Sequence, residues 1–184
     1  MEEAVELLPH RVAYSTPKEH AMNYKSNWLK RLALGAVAGL AGTLALQLLR
    51  MAGQKWLPHT VPAIRKDPGE FMVETMKNAL PAQARPHLPR AVETGVAQTL
   101  ALGYGLTFGV LYAALRPQGG APLMDGIALG SGTWAVGYVG WLPASGLMPP
   151  LWVQSPQQII TPAVQHALYG MATVTAYKWL QERV

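Results

Sequence analysis

The sequence predicts an all-α, polytopic membrane protein: a compact bundle of four transmembrane helices, with a short amphipathic helix in the loop between the first and second. Three observations predict it. From Gly126 to Tyr177 there is no Asp, Glu, Lys or Arg, and a charge at mid-bilayer costs roughly 2.5–3.5 kcal/mol even on insertion scales. Two further charge-free runs, Leu32–Leu49 and Thr94–Leu115, approach or exceed the roughly twenty residues that a helix needs to cross. Each run also places small residues at alternating spacings of four and three, which is one face of a helix.

The 184 residues are 50% hydrophobic and 14% charged. Mean hydropathy is only +0.12 because apolar blocks alternate with polar ones. With no cysteine, disulfides, thiolate metal centres and iron–sulfur ligation are excluded. The net charge of +5 comes from Lys and Arg set singly beside apolar blocks. That pattern suits anionic headgroups at a lipid bilayer rather than nucleic acid.

Residues 1–27 form a polar N-terminal arm, predicted helical over Glu2–Leu8 and stopped by Pro9; its Glu2, Glu3 and Glu6 are not those of a signal peptide. Residues 28–184 form the transmembrane domain. Trp28, Lys30 and Arg31 mark an interface, and the first span follows at about 32–49, closed by Arg50. Gly35, Gly39 and Gly42 lie on one face of it, in the spacing that lets membrane helices touch backbone to backbone. The loop 51–90 is rich in proline and cations. Within it Asp67-Pro68-Gly69-Glu70 reads as a helix start, with Asp67 as cap and Pro68 at the first helical position. The helix it opens should end at Pro81 and turn Met72, Met76, Ala79 and Leu80 toward protein or membrane.

The second span, about 94–115, carries Gln98, Leu102, Gly105, Gly109 and Tyr112 on one face. The third, about 126–142, does the same with Gly126, Gly130, Thr133, Gly137 and Gly140. A Pro-rich crossing follows, whose Trp152 suits the headgroup layer. The fourth span, about 159–177, presents Pro162, His166, Tyr169, Gly170, Thr173 and Tyr177. In lipid, close packing and hydrogen bonds rather than apolar burial hold helices together, so these narrow stripes should face inward and the Leu-rich sides outward. Lys and Arg divide nearly evenly between the two sides, and termini on the cytoplasmic side is the orientation adopted.

His166 is the one titratable side chain well inside a span, and an intramembrane ionisable group is a functional candidate by default. A neutral imidazole could ligate the metal of a haem or chlorophyll-type pigment, or relay a proton. The commoner use is an interhelical hydrogen bond within a polar core of His166, Gln98, Thr133 and Tyr169. No cofactor is required by the sequence. His59 and His87 lack neighbours at metal-ligand spacing, and no metal site is expected. Ser131 and Ser145 lack the setting of a nucleophile, and no paired carboxylates or phosphate-binding loop occur. An enzyme is not expected.

The carboxyl-terminal half resembles the YagU-type family of small, uncharacterised bacterial inner-membrane proteins. The resemblance rests on Trp134-Ala-Val-Gly-Tyr138, on Leu142-Pro-Ala-Ser-Gly-Leu-Met-Pro-Pro-Leu-Trp152 and on Gln165-His-Ala-Leu-Tyr-Gly170. Relatives often place a histidine near the start of the second span, where this chain has Gln98, and many have an acid just after the Trp of the crossing, where Val153 stands. The resemblance implies the bacterial cytoplasmic (inner) membrane as location, and no settled activity. Two functions compete. The first is an accessory or stabilising subunit of a larger membrane complex, of respiratory or photosynthetic type, in which Trp134, Trp141 and Trp152 offer docking area to a membrane-protein partner. The alternative is a small transporter or proton-handling protein centred on His166.

Overall fold

The computed structural model describes residues 17–62, 64–84 and 88–184, with side chains from Asn27 onward. The expected helix over Glu2–Leu8 and His87 lie outside the described residues. All regular structure among them is helical. Helix α1 runs Pro17–Trp56, α2 Pro68–Asn78, α3 Arg90–Leu115, α4 Pro122–Trp134 and α6 Pro156–Gln181; between α4 and α6 come a π-helical segment, Ala135–Trp141, and a single turn, α5 (Leu142–Ala144). The expected boundary at residue 27 therefore falls inside a helix. The four spans read from the sequence each lie within a long helical stretch. Two helices are long and apolar enough to cross a membrane, α1 over Asn27–Trp56 and α3. The π-helical segment interrupts α4, and α6 carries Gln157, Gln158, Gln165 and His166 among its apolar residues.

Helix α1 packs along α3 on one side and α6 on the other, and α6 packs along α4; α3 and α4 touch lightly. Small residues set these contacts. Gly35 and Gly39 of α1 face Gly105 and Gly109 of α3: a Cβ at Gly35 would sit 2.6 Å from Gly109 O, and one at Gly109 would sit 2.6 Å from Gly39 Cα. Gly42 lies against Thr173 and the Tyr169 carbonyl, and Gly126 and Gly130 of α4 lie against the α6 main chain at Met171 and His166. The other sides of the helices are apolar and exposed. On α1 these residues are Val37, Leu40, Leu44, Leu48 and Met51; on α6 they are Ile160, Val164 and Leu168. Gly, Ala, Thr and Tyr make the contacts between the long helices, and their outer sides are Leu, Val, Ile and Met.

Gly140 departs from its expected place. It is exposed, because the π-helical segment shifts the buried face from Gly126, Gly130, Thr133 and Gly137 to Tyr138 and Leu142. Pro143 supplies a cause: it has no N–H to give the Val139 carbonyl, and its ring crowds that carbonyl. The turn opens, Leu142 N–H reaches back to Gly137 O, and Gly140 takes φ −89°, ψ −105°.

One end of the bundle is closed. Ala38, Tyr112, Ala113, Val174 and Tyr177 form a buried cluster there, with the Tyr112 and Tyr177 rings edge to face at 5.6 Å. Beyond it Asp125 accepts from Tyr112 Oη (3.0 Å) and from Arg116 Nε and Nη2 (2.9 and 2.8 Å), joining α3 to α4. The Arg116 hydrogen bond holds the Asp125 carboxyl below its ordinary value, against the opposing pull of desolvation. A carboxyl lowered in the fold stabilises at any pH above its unfolded value of about 3.9, and the contribution fades as pH falls through the lower, folded value. Unfolding midpoints of the chain in micelles should hold steady from neutral pH to about 5 and drop below about 4. Asp125→Ala should cost about 1 kcal/mol at neutral pH and flatten that drop.

At the other end the helices splay, and the loop before α3 folds over the gap. Asp67 caps α2, accepting from Gly69 N (2.9 Å) and Glu70 N (3.1 Å). The helix ends at Asn78. Gly69 and Val73 are buried, Gly69 against the Ala97 main chain of α3; Phe71 packs on a cluster of Tyr138, Leu142, Leu147 and Met148. Met76, Ala79 and Leu80 face outward, since the helix docks through its smallest residue and through an ion pair of Lys77 with Glu93 of α3. A second ion pair, Lys66 with Glu74, holds the Glu74 carboxyl below its ordinary value through that hydrogen bond and charge.

Candidate functional site

Where the helices splay they enclose a chamber of about 230 Å³. Helix α1 contributes Thr43, Gln47 and Arg50; α3 contributes Leu100, Tyr104 and Gly105. Thr133 and Gly137 come from the α4 stretch with Tyr138 and Trp141, and His166 and Tyr169 from α6; the roof is Ile64, Asp67, Pro68, Gly69 and Met72. A vestibule, also of about 230 Å³, adjoins it, and Arg50, Ile64, Asp67, Pro68 and Tyr138 line both. These five residues form the partition between the two spaces.

Three of the four expected polar-core residues, Thr133, His166 and Tyr169, meet on this wall. Gln98 does not; it is exposed. Docking of Gly69 on Ala97 turns the inward face of α3 to the line of Ala97, Gly105 and Gly109, which leaves Gln98 a helical step away. The packing glycines Gly35, Gly39, Gly42, Gly105, Gly109, Gly126, Gly130 and Gly137 are all buried. Gly137 does not touch a backbone; a Cβ there would meet only Tyr104 Oη, at 3.7 Å. Of the tryptophans expected to offer docking area, Trp152 is 86% exposed. Trp134 and Trp141 are half-buried against the Tyr138 cluster, with the Trp134 and Tyr138 rings stacked at 6.4 Å.

The expected hydrogen bond from His166 to the second or third span is not the one formed. His166 Nδ1 lies 2.7 Å from Pro162 O on its own helix, and the ring meets Tyr138 edge to face at 5.3 Å. A carbonyl only accepts, so Nδ1 carries the proton and the neutral ring keeps a lone pair on Nε2. The hydroxyls around it are committed in the same way. Thr43 Oγ1 donates to Gly39 O, Thr133 Oγ1 to Leu129 O and Tyr169 Oη to Gly105 O, each at 2.8 Å. Tyr104 Oη donates a long hydrogen bond, 3.5 Å, to Thr133 O. Two donors on the partition stay uncommitted: the Arg50 guanidinium and the Tyr138 hydroxyl make no hydrogen bond or ion pair among the described residues.

Arg50, Tyr104 and Tyr138 were absent from the expected site. A lone arginine closing an apolar run reads as an interface anchor, and only the loop folded over it makes it a chamber residue. Tyr104 and Tyr138 look like ordinary span aromatics. At about 230 Å³ the chamber is smaller than the roughly 300–1,000 Å³ of pockets for drug-sized ligands. Among the described residues no three His, Asp or Glu side chains converge as metal ligands. His166→Ala should cost about 1–2 kcal/mol, chiefly lost contact with Tyr138, because Pro162 O keeps its backbone partner. The chain should still insert, and detergent unfolding titrations would read the difference. No family model, curated protein or solved structure matches the chain, so the functional reading rests on this geometry.

Proposed function

We propose that the chain is a multi-pass integral membrane protein that binds and moves a small solute through the chamber beside His166. The observation that carries this reading is Arg50: an unpaired cation at the end of the first span, on the wall of a chamber that also holds His166, in a bundle whose outer sides are apolar. Intramembrane ionisable groups facing a cavity are costly and mark solute paths. The outward Leu, Val and Ile support four spans, with α4, the π-helical segment and α5 together making the third. The bacterial cytoplasmic membrane, with termini on the cytoplasmic side, is the setting we adopt. Gly137→Leu tests the reading, since its side chain would enter the chamber without meeting backbone. Solutes that stabilise the reconstituted wild-type chain saturably should lose that effect in G137L. If every such solute stabilises both alike, the chamber is not where they bind.

A second reading, an accessory subunit of a larger membrane complex, is favoured by one outer face. Gly95, Thr99, Gly103 and Thr107 of α3 are exposed at intervals of four, with open space beside Gly95 and Gly103. That pattern repeats the small-residue spacing used inside the bundle. Gly103→Leu should then remove a membrane partner from native complexes while leaving solute binding intact.

A further inference from the structure

We infer that the chamber takes a small two-ended ligand: an anionic group joined by a short spacer to an N–H donor. The inference rests on the solute-binding reading and specifies the ligand's chemical class. On the partition, Arg50 and the Tyr138 hydroxyl are donors without acceptors. Asp67 lies there too, but its Oδ1 already accepts from the first turn of α2, where the helix dipole also meets its charge. Among the described residues no ion pair joins it to Arg50, which therefore has no anion bonded to it. Deeper, the pattern is reversed. Thr43, Thr133 and Tyr169 have given their protons to backbone carbonyls and His166 has given its Nδ1–H to Pro162 O. What they offer a ligand is lone pairs, on three hydroxyl oxygens and on Nε2.

A simple carboxylate would satisfy Arg50 and present nothing to the acceptors. A simple ammonium would meet the acceptors beside an unpaired positive charge. Buried groups left without partners are costly in both cases. A zwitterion satisfies both ends and brings no net charge into the bundle. Two sources carry this chemistry: a free amino acid-like solute, and the phosphoethanolamine headgroup of a lipid reached through the vestibule.

The test uses the full chain in phosphatidylcholine nanodiscs, whose choline headgroups lack N–H donors, with binding read by calorimetry. The two-ended probes are glycine, β-alanine, 4-aminobutyrate and phosphoethanolamine; butyrate and butylamine are the one-ended controls. At least one two-ended probe should bind tenfold or more tightly than both controls. Arg50→Gln should weaken it at least tenfold, and Gly137→Leu should abolish it. The comparison among probes on the wild-type chain stands even if R50Q does not fold. Preference for phosphoethanolamine over the amino acids identifies a lipid headgroup, and the opposite preference a free solute. Controls that bind as tightly as the two-ended probes, or full binding by folded R50Q, overturn the ligand class. If those controls are also lost in G137L, the solute-binding reading stands without it; if no probe binds saturably, both fall.

Discussion

Gly109→Leu should cost about 3 kcal/mol or more and leave little folded protein in mild detergent. A Cβ at Gly109 would lie 2.6 Å from Gly39 Cα and 2.7 Å from Gly39 N, and closer still to Gly35 O. All three are backbone atoms, so no side chain can swing aside and the helix axes must part. Opening the α1–α3 contact also separates Gly105 from Thr43, which lies against it. Gly103→Leu is the matched control, two turns from Gly109 in sequence terms at most and facing open space, with nothing within 4 Å of its Cβ position. It should change stability by about 0.5 kcal/mol or less. Helix propensity favours leucine over glycine at both sites, so equal losses for the two variants, measured by thermal unfolding in the same micelle, would mean that the α1–α3 glycine contact does not set the cost.

Gly130→Leu should be comparably damaging, at about 3 kcal/mol, and should in addition remove binding at the chamber. Its Cβ would lie 2.7 Å from Ala167 Cα and against the His166 carbonyl. Relief requires α6 to move away from α4, taking the His166 ring off Tyr138. Gly132→Leu, on the same helix with nothing within 4 Å, should affect neither stability nor binding. A G130L chain that unfolds at the wild-type midpoint would show that α4 and α6 do not meet at this glycine.

Legibility of the sequence divides along physical lines. Charge-free runs are set by the helices themselves, so the long helices and the Asp67 cap could be read from residues alone. The glycine faces of α1, α3 and the first half of α4 were legible too, because backbone contact admits few residue types. Gly140 and Gln98 were misplaced because their orientation depends on nonlocal or non-α geometry: a turn opened by Pro143, and the docking of α2 on Ala97. The chamber was half legible. His166, Thr133 and Tyr169 stand out as polar groups among apolar neighbours, whereas Arg50 gains its role only from the folding-back of a loop.

The π-helical segment has a consequence for chain length. Ala135–Trp141 is wound as a π-helix broken at Gly140, and a π-turn takes up one residue more than an α-turn, so the inward face continues at Tyr138 rather than one α-turn beyond Gly137. Deleting one residue there would rotate everything downstream by about 100°. Tyr138 and Leu142 would swing away from His166 and Phe71, and the partition would lose its hydroxyl, although no chamber residue had been substituted. Single-residue gaps in this segment, more than exchanges of side chain, would separate descendants of this chain that keep the chamber from those that have lost it.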